Sequence, residues 1–304
     1  MYAKDDPRSS LVSATATAPL PDAGTAIAAA QYFDLPALAP RDGASSDART
    51  AVVRAQNVVL VHTEAHTGDR LDNGTLDGEC AVVATDDSPA FSVHTDDGET
   101  RIDEAGLVVV VPGASRITVH GDGPLVRLIE AGEPAWRERA ANAVAYAQDH
   151  PRVAPLRRWP EPAGGRAVRF YPLSAVPDDP QRFGRIFRTR SFMVNFLPPQ
   201  DGPRDPTRLS PHTHDDFEQL SLAVRGTYVH HIRTPWLGDS TGWRDDEHVR
   251  LGSPSLAIIP PPTVHTSAAE DPGVNQLIDI FSPPRADFSA KPGWVLNSDD
   301  YPMP

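Results

Sequence analysis

The sequence predicts an all-β protein made of two tandem jelly-roll barrels, and three observations support this fold class. The chain has 304 residues, more than one typical domain, and its 32 prolines and 21 glycines separate short β-branched runs. These runs recur at a spacing that suits jelly rolls. The two halves also resemble each other, since Gly106, five apolar residues and Pro112 correspond to Gly252 through Ile259 and Pro260. Such an internal repeat indicates a duplicated barrel.

The individual strands are predicted from apolar and β-branched runs that end at turn residues. In the first barrel they are Asn57–Val61, Glu79–Ala84, Ala90–Val93, Leu107–Val111, Ile117–Val119 and Leu125–Ile129. In the second barrel they are Arg190–Phe196, Leu209–His214, Gln219–Arg225, Thr227–Arg233, Pro254–Pro260 and Asn275–Phe281. We divide the chain into an N-terminal arm (1–50), a first barrel (51–131), a helix and linker (132–165), a second barrel (166–285) and a C-terminal strap (286–304).

Two segments outside the barrels have their own predictions. The N-terminal arm is rich in Ala, Pro, Ser and Asp, and it either lies across a domain or partner or is disordered. Ile27–Ala30 in this arm is either a helical turn or irregular. Between the barrels, Glu133–Ala147 predicts a helix, because Pro134 lies in its first turn and one apolar stripe runs along it. The proline-rich residues 151–165 form the linker.

Two further segments carry aromatic side chains. The C-terminal strap contains Phe288 and Trp294, which are costly to leave in water, so we expect it to be ordered. Residues 235–248 form an insertion with two tryptophans, Trp236 and Trp243. A loop of this length has a role of its own, and we expect it either to cover a barrel as a lid or to bind a second subunit.

The second barrel contains a set of residues typical of a metal site. His212 and His214 alternate along the chain, so on an extended strand both imidazoles point the same way. An oxygen ligand follows, either Gln219 or its neighbour Glu218. His265, held after a run of three prolines, is the fourth ligand. Imidazoles with one oxygen ligand suit iron, manganese, zinc or nickel, so we predict one divalent transition metal.

These residues resemble the signature of the cupin superfamily. That signature is His-x-His, three or four residues, an oxygen ligand, six residues and Gly, with a later Pro-x-Gly-x-x-His. Four residues separate Gln219 from His214, and six separate it from Gly226, so both counts favour Gln219. Glu218 fits only the shorter first gap, although a carboxylate is the commoner ligand in the family. Pro262 stands where the family has Gly.

The resemblance implies two tandem cupin barrels, also called double-stranded β-helices, with a metal in the second barrel only. In the first barrel, Asp72 and Gly74 stand where the motif has its histidine pair. Arg116 or Ile117 stands where it has the last histidine. Some cupins carry three His and one Gln, including sugar-acid isomerases, and this site resembles theirs.

A second metal site in the first barrel is an alternative. His62, Glu64 and His66 alternate on a predicted strand and would share one face. The sequence places no further ligand opposite them. The simpler interpretation is a polar face or edge of the sheet.

Strand parity extends the prediction into the second barrel. If Gln219 faces the cavity, then Ser221 and Arg225 face it too, and the residues between them pack outward. Small Ser221 leaves room beside the metal, and Arg225 either contacts an acidic substrate or lies at the barrel rim. Only one of the adjacent His230 and His231 can point inward, where it would be a general base; otherwise both lie at the surface.

Composition limits the possible partners and location. The net charge of −13, from 28 basic and 41 acidic residues, argues against nucleic acid as a partner. The single cysteine, Cys80, excludes an intrachain disulfide, and no apolar run reaches the length of a membrane span. We therefore expect a cytoplasmic location without a membrane partner. Cupins often pair through sheet edges, so the resemblance implies a homodimer.

The function follows from the metal site. The leading hypothesis is a metal-dependent isomerase-like or lyase-like enzyme acting on a small carbonyl, hydroxy-acid or sugar-acid substrate. One alternative, implied by the family, is an Fe(II)-dependent dioxygenase. The other is a ligand-binding or regulatory cupin without turnover.

Overall fold

The computed structural model describes residues 7–10, 25–39, 49–177, 179 and 181–304. The strands, in chain order, are β1 (Gln31–Asp34), β2 (Thr50–Arg54), β3 (Val58–Ala65), β4 (Arg70–Leu76), β5 (Cys80–Ala84), β6 (Phe91–Thr95), β7 (Gly98–Ile102), β8 (Gly106–Val110), β9 (Gly113–Val119), β10 (Gly123–Glu130), β11 (Arg169–Pro172), β12 (Arg185–Arg188), β13 (Met193–Phe196), β14 (Gln200–Asp201), β15 (Gln219–Arg225), β16 (Tyr228–Arg233), β17 (Glu247–Leu251), β18 (Ser255–Ile259), β19 (Val264–Ala269) and β20 (Val274–Phe281). Helices in these residues are short, namely α1 (Leu35–Leu38), α2 (Pro134–Arg137) and α3 (Ala286–Ser289). Short 3-10 turns occupy Pro7–Ser10, Ala143–Tyr146, Leu173–Ala175 and Ser240–Gly242. The predicted all-β class is confirmed.

Each barrel consists of two antiparallel sheets. The first barrel combines a six-stranded sheet, in the order β11-β8-β5-β10-β3-β2, with a four-stranded sheet, β4-β9-β6-β7. The second combines a seven-stranded sheet, β1-β18-β15-β20-β13-β12 with β14 beside β20, and a three-stranded sheet, β17-β16-β19. Neighbouring strands come from distant parts of the sequence in both barrels, as expected for a jelly roll.

The two barrels exchange edge strands. Strand β1 belongs to the N-terminal arm and pairs with β18 of the second barrel, with Gln31 opposite Ile258. Strand β11 follows the predicted boundary at residue 166, yet it pairs with β8 of the first barrel, with Arg169 opposite Val109. The exchanged strands cover sheet edges that would otherwise offer unpaired backbone groups. The sheets therefore cross the domain boundaries at 51 and 166, which stay predictions.

Only part of the predicted arm is described. Its residues 1–6, 11–24 and 40–48 lie outside the described residues, so disorder of the whole arm is not tested. Ile27–Ala30 is irregular rather than helical. The arm then continues as β1 and α1, and Leu35 is fully buried in the core between the barrels.

The two large sheets stack face to face and enclose the main hydrophobic core. Successive side chains of a strand point to opposite faces, so one strand serves two compartments. On β5, Ala81 and Val83 contact this shared core, whereas Val82 points into the first barrel. On β15, Leu220 and Leu222 contact the shared core. The predicted outward packing of Leu220 and Leu222 is confirmed, and each buried leucine contributes about 2 kcal/mol.

The predicted helix Glu133–Ala147 is wrong. The α-helix α2 ends at Arg137, and a 3-10 turn follows at Ala143–Tyr146. The chain bends toward the first barrel because Ala141 N donates to Val52 O at 2.8 Å and Arg54 N donates to Asn142 Oδ1 at 2.9 Å. These contacts with β2 replace the helical hydrogen bonds, and they leave Val144, from the predicted apolar stripe, 88% exposed.

The strap is ordered, as predicted, and the insertion is partly regular. Phe288 and Trp294 are buried in one cluster beside the second barrel. In the insertion, Trp236 and Trp243 stack on each other with ring centroids 4.4 Å apart, and both are exposed. The insertion ends in β17, which extends the sheet at β16.

In the described part of the chain, no helix combines the length and apolar character needed to cross a bilayer.

Candidate metal centre

Three histidines converge inside the second barrel. His212 and His265 form an isolated antiparallel bridge, with His212 N donating to His265 O at 3.0 Å and His265 N donating to His212 O at 2.8 Å. Their ring centroids lie 4.3 Å apart, and the ring of His214 lies 5.1 Å from that of His265. Nitrogens of all three rings lie within 4.8 Å of one another, close enough to share one metal ion. The predicted strand Leu209–His214 is reduced to this bridge.

The loops around the bridge hold it in place. His265 is the second residue of β19 and follows Pro260–Pro262 and Thr263, so its backbone is fixed by prolines. Thr213 Oγ1 donates to Pro262 O at 2.6 Å, which ties the histidine pair to the proline turn. Together with the two backbone hydrogen bonds between His212 and His265, this contact joins the two halves of the signature.

Backbone carbonyls determine which nitrogen of two rings faces the centre. Nδ1 of His212 lies 2.9 Å from Ser210 O, and Nδ1 of His265 lies 3.0 Å from Thr263 O. A carbonyl oxygen only accepts, so each Nδ1 carries the proton. The Nε2 atoms of both neutral rings are then lone-pair donors, the form in which histidine binds metals.

Gln219 presents its amide oxygen to the same centre. Gln219 Nε2 donates to Ser221 Oγ at 2.9 Å and to Asp279 Oδ1 at 3.0 Å, so the other end of the amide is Oε1. That oxygen lies 2.8 Å from His214 Nε2 and 3.2 Å from His265 Nε2. The lone pairs of Gln219 Oε1 and His265 Nε2 face each other, which is repulsive unless a cation lies between them. The residues therefore fit a divalent metal held by three nitrogens and one oxygen.

Burial keeps the imidazoles neutral. The pKa of His265 is lowered to about 4, mainly by burial. The pKa values of His212 and His214 are lowered well below the usual value, again mainly by burial, and neighbouring positive charges lower them further. At pH 7 all three rings are thus deprotonated at one nitrogen and ready to bind a metal without releasing a proton.

Asp279 is a site residue that the sequence analysis missed. It lies on β20 directly opposite Ser221 of β15, and it accepts hydrogen bonds from Ser221 Oγ and Gln219 Nε2, both at 3.0 Å. Burial raises the pKa of its carboxyl to about 6. A sequence signal exists, because Asp279 is the only acidic residue in the otherwise largely apolar run Leu277–Phe281. The alternation of side chains along β20 does not by itself reveal that Asp279 faces Gln219.

The centre lies in the wall of a cavity of about 620 Å³. That volume is within the range of sites for small molecules. His212, His265, Gln219 and Asp279 all line it, together with Arg8 from the N-terminal segment. Further lining residues include Arg204, Ser210, Tyr228 and Ser267. Two histidines of the triad, His212 and His265, are therefore accessible to a small ligand.

Comparisons with known proteins agree with this architecture. No protein-family model matches the sequence, and no curated protein matches it. Among solved structures, the oxalate decarboxylase of Bacillus subtilis, studied for its Mn(II) centres, superposes with a TM-score of 0.51 at 10% identity, covering 87% of this chain and 80% of that chain. This chain has the bicupin fold.

Two other structures align over similar lengths. The formate complex of Lactobacillus farciminis oxalate decarboxylase gives a TM-score of 0.47 at 11% identity, covering 76% of this chain and 78% of that chain. An IolB-like protein from Salmonella typhimurium LT2 gives a TM-score of 0.49 at 12% identity, covering 79% of this chain and 86% of that chain.

The fold separates the two candidate oxygen ligands. Glu218 points away from the triad, where its carboxylate accepts from Tyr146 OH at 2.8 Å and from Gln56 N at 2.7 Å. It thereby links the second barrel to the linker and the first barrel. Gln219, the next residue on the strand, points into the barrel. The alternation of one strand thus gives Glu218 a structural position and Gln219 the position beside the imidazoles.

The other predicted pocket residues lie in different places. Ser221 is beside Gln219, as parity predicted, whereas Arg225 lies at the rim, where it forms an ion pair with Asp87 of the first barrel. A register shift between Ala223 and Arg225 turns the strand end outward. His230 is buried, with Nδ1 2.9 Å from Ser267 Oγ. His230 lies near the triad, because His265 contributes, after burial, to the lowered pKa of His230.

His231 lies on the outer face of the bicupin. Its Nδ1 is 2.8 Å from Nδ1 of His248 across the β16–β17 pair. The prediction that only one of His230 and His231 points inward is consistent with this placement. Neither histidine is among the residues that line the cavity, and a general-base role for either stays a prediction.

The first barrel has a different interior. Its inner face is mostly apolar, with Val59, Val61 and Val82 packed against Phe91 and Ile117. The buried polar side chains there bond to each other, since Arg127 Nη1 donates to Asn73 Oδ1 at 2.8 Å. Among the described residues, the triad of the second barrel is the only group of three or more His, Cys, Asp or Glu side chains close enough to hold a metal.

The alternative metal site in the first barrel does not form. His62 Nε2 lies 3.5 Å from Glu64 Oε1. His66, by contrast, is exposed and lies 3.9 Å from Asp122. The three predicted side chains therefore do not converge, and the polar-edge interpretation accounts for them.

Proposed function

We propose that this bicupin is a metal-dependent enzyme that acts on a small carbonyl, hydroxy-acid or sugar-acid substrate in an isomerase-like or lyase-like reaction. One observation carries the proposal. Three imidazoles converge with the amide oxygen of Gln219, and His212, His265 and Gln219 line a cavity of about 620 Å³. Iron, manganese, zinc and nickel all suit this set of ligand atoms. Oxalate decarboxylase of Bacillus subtilis contains Mn(II), which makes manganese the first metal to test.

The chain's own residues prepare the site for this chemistry. Nδ1 hydrogen bonds hold His212 and His265 with their Nε2 atoms toward the centre, and Asp279 holds the amide of Gln219. None of these four ligand side chains carries a negative charge, so the charge of a bound divalent ion is not reduced by its ligands. When bound, such an ion supplies a Lewis acid that polarises a carbonyl or hydroxyl oxygen of the substrate.

The reaction class is tested by substrate consumption with and without oxygen. The protein, stripped of metal, is reloaded separately with Mn, Zn, Ni or Fe(II) and incubated with a panel of keto acids, hydroxy acids and uronates. We expect turnover that persists under strict anaerobiosis. Consumption that requires Fe(II) and dioxygen would instead identify a dioxygenase. Bound metal without turnover of any panel member would favour a ligand-binding cupin.

The metal dependence needs a matched control. His265→Asn removes one ligand of the triad, whereas His248→Asn removes an exposed histidine on the outer sheet face. Turnover is expected to be lost in the first variant and kept in the second.

A homodimer stays a separate prediction, which sedimentation velocity tests.

A further inference from the structure

A pair of histidines lies on the outer face of the second barrel, apart from the triad. His231 of β16 stands directly opposite His248 of β17. Their ring centroids are 4.9 Å apart, and their two Nδ1 atoms are separated by 2.8 Å. Neither residue lines the cavity beside the triad, so the pair is a separate cluster of metal-binding side chains.

The short contact between the two Nδ1 atoms places two lone pairs at one gap. In the metal-free pair, one neutral ring donates its Nδ1 hydrogen to the Nδ1 of the other. When both rings instead carry their proton on Nε2, both Nδ1 lone pairs point into the same gap. Two such lone pairs repel each other, and a cation between them turns the repulsion into binding.

The separation of the two nitrogens suits a particular coordination geometry. An ion about 2.0 Å from both nitrogens, with a right angle between the two bonds, needs them about 2.8 Å apart. The observed separation of the Nδ1 atoms is 2.8 Å. Right angles between nitrogen ligands are typical of tetragonal nickel(II) and copper(II). The pair is therefore arranged for one of these ions without a change in the backbone.

The surroundings of the pair do not repel a cation. Arg233 Nε donates to Asp246 Oδ1 at 3.0 Å, and Arg250 Nε donates to Glu270 Oε2 at 2.9 Å, so each neighbouring arginine has a carboxylate partner. Burial and the neighbouring His248 lower the pKa of His231, whereas Glu270 raises it. His231 is therefore neutral at pH 7, the form in which an imidazole binds a metal.

The strand that carries His248 is weakly attached to the barrel. β17 is the edge strand of the three-stranded sheet, and every one of its residues is exposed or half-buried. An edge strand that buries so little apolar surface depends on its backbone hydrogen bonds and its cross-strand pairs. Its His248 side chain forms one of these pairs with His231, at the end of the insertion that contains Trp236 and Trp243.

We propose that His231 and His248 form a second metal site, which binds nickel(II) or copper(II) and fastens the end of the insertion to the barrel. Water fills the remaining coordination positions. Two protein ligands hold an ion less tightly than three histidines and a glutamine, so dialysis empties this outer site. Metal retained after dialysis therefore reports the triad alone, and the proposal is independent of the proposed function.

The test uses the full-length protein stripped of metal and the copper(II) complex of iminodiacetate as the probe. The chelator occupies part of the coordination sphere and leaves neighbouring positions open for a pair of imidazoles. Calorimetry should show one complex bound per chain in the wild type. His231→Asn and His248→Asn should each weaken binding roughly 10-fold or more, because the second imidazole no longer binds within the same molecule.

Two control variants locate the binding. His66→Gln removes an exposed histidine of the first barrel, and it should leave the affinity for the complex unchanged. His265→Asn removes a histidine of the triad and should also leave it unchanged. Pulsed EPR of the bound copper should count two imidazoles in the wild type and in both control variants, and only one in His231→Asn.

Amide hydrogen exchange tests whether the ion fastens the strand. Exchange in β17 should slow when the complex binds to the wild type and should stay unchanged in His231→Asn. Equal affinities in the wild type, His231→Asn and His248→Asn would overturn the site. Binding that disappears in His265→Asn alone would assign the copper to the triad and also overturn it. Two-imidazole binding without slower exchange in β17 would retain the site and overturn its fastening role.

Discussion

Asp279 accepts a hydrogen bond from Gln219 Nε2 at 3.0 Å, and this contact decides which end of the Gln219 amide faces the imidazoles. A carboxylate oxygen accepts from the NH2 end only, so the carbonyl end is directed toward His214 and His265. Loss of a hydrogen bond that orients a metal ligand usually lowers metal affinity 10- to 100-fold. Asp279 is thus a positioning residue for the candidate centre rather than a ligand.

The first prediction concerns Asp279→Asn. An asparagine offers both a donor and an acceptor, so Gln219 gains the freedom to turn its NH2 group toward the imidazoles. We expect metal affinity to fall roughly 10- to 100-fold, measured by competition with a coloured chelator. Asp246→Asn, which removes an exposed carboxylate paired with Arg233, is the matched control. Equal affinities in the two variants would contradict the positioning role.

The second prediction separates the two neighbouring candidate ligands. Gln219→Ala should lose the metal, whereas Glu218→Ala should keep it. Glu218→Ala should instead reduce the free energy of unfolding by about 2–3 kcal/mol, since the buried donors Tyr146 OH and Gln56 N lose their acceptor. Metal analysis and urea unfolding of both variants provide the comparison. Loss of metal in Glu218→Ala with a full complement in Gln219→Ala would reverse the assignment.

The third prediction concerns acid stability of the metal-free protein. Burial lowers the pKa of His230 from 6.5 to about 4. As pH falls below 6.5, the unfolded chain takes up this proton before the folded chain does. Stability is therefore complete above pH 6.5 and decreases as pH falls toward 4. Between pH 7 and pH 5 this histidine accounts for a loss of about 2 kcal/mol.

Urea unfolding at the two pH values measures this loss. His230→Gln should show a pH dependence smaller by that amount than the wild type. His66→Gln, which replaces an exposed histidine, controls for removal of one imidazole. A pH dependence in His230→Gln as steep as that of the wild type would argue against the assignment.

Much of the site was predictable because its signals are local. The spacing of His212, His214 and Gln219 within one short segment identifies candidate ligands, and strand parity places Ser221 beside Gln219. The spacing also favoured Gln219 over Glu218, and the geometry agrees with that choice. Parity fails at Arg225, because an irregularity in the β15–β20 register turns the end of the strand outward.

The missed features depend on contacts between distant segments. Asp279 reaches Gln219 only through the pairing of β15 with β20, and Arg8 reaches Ser210 across most of the chain. The exchange of β1 and β11 between barrels has no local signature either. The predicted helix after Glu133 failed for the same reason, since its amphipathic pattern is overridden by hydrogen bonds to β2.

The metal stoichiometry of three proteins tests whether the triad holds an ion. Wild type, His265→Asn and His248→Asn are reloaded in turn with Mn, Zn, Ni or Fe(II), dialysed, and measured by elemental mass spectrometry. We expect one ion per chain in the wild type and in His248→Asn with at least one of these metals, and none in His265→Asn. Full occupancy in His265→Asn, or no retained ion in the wild type with any of the four metals, would rule out the triad as a metal site.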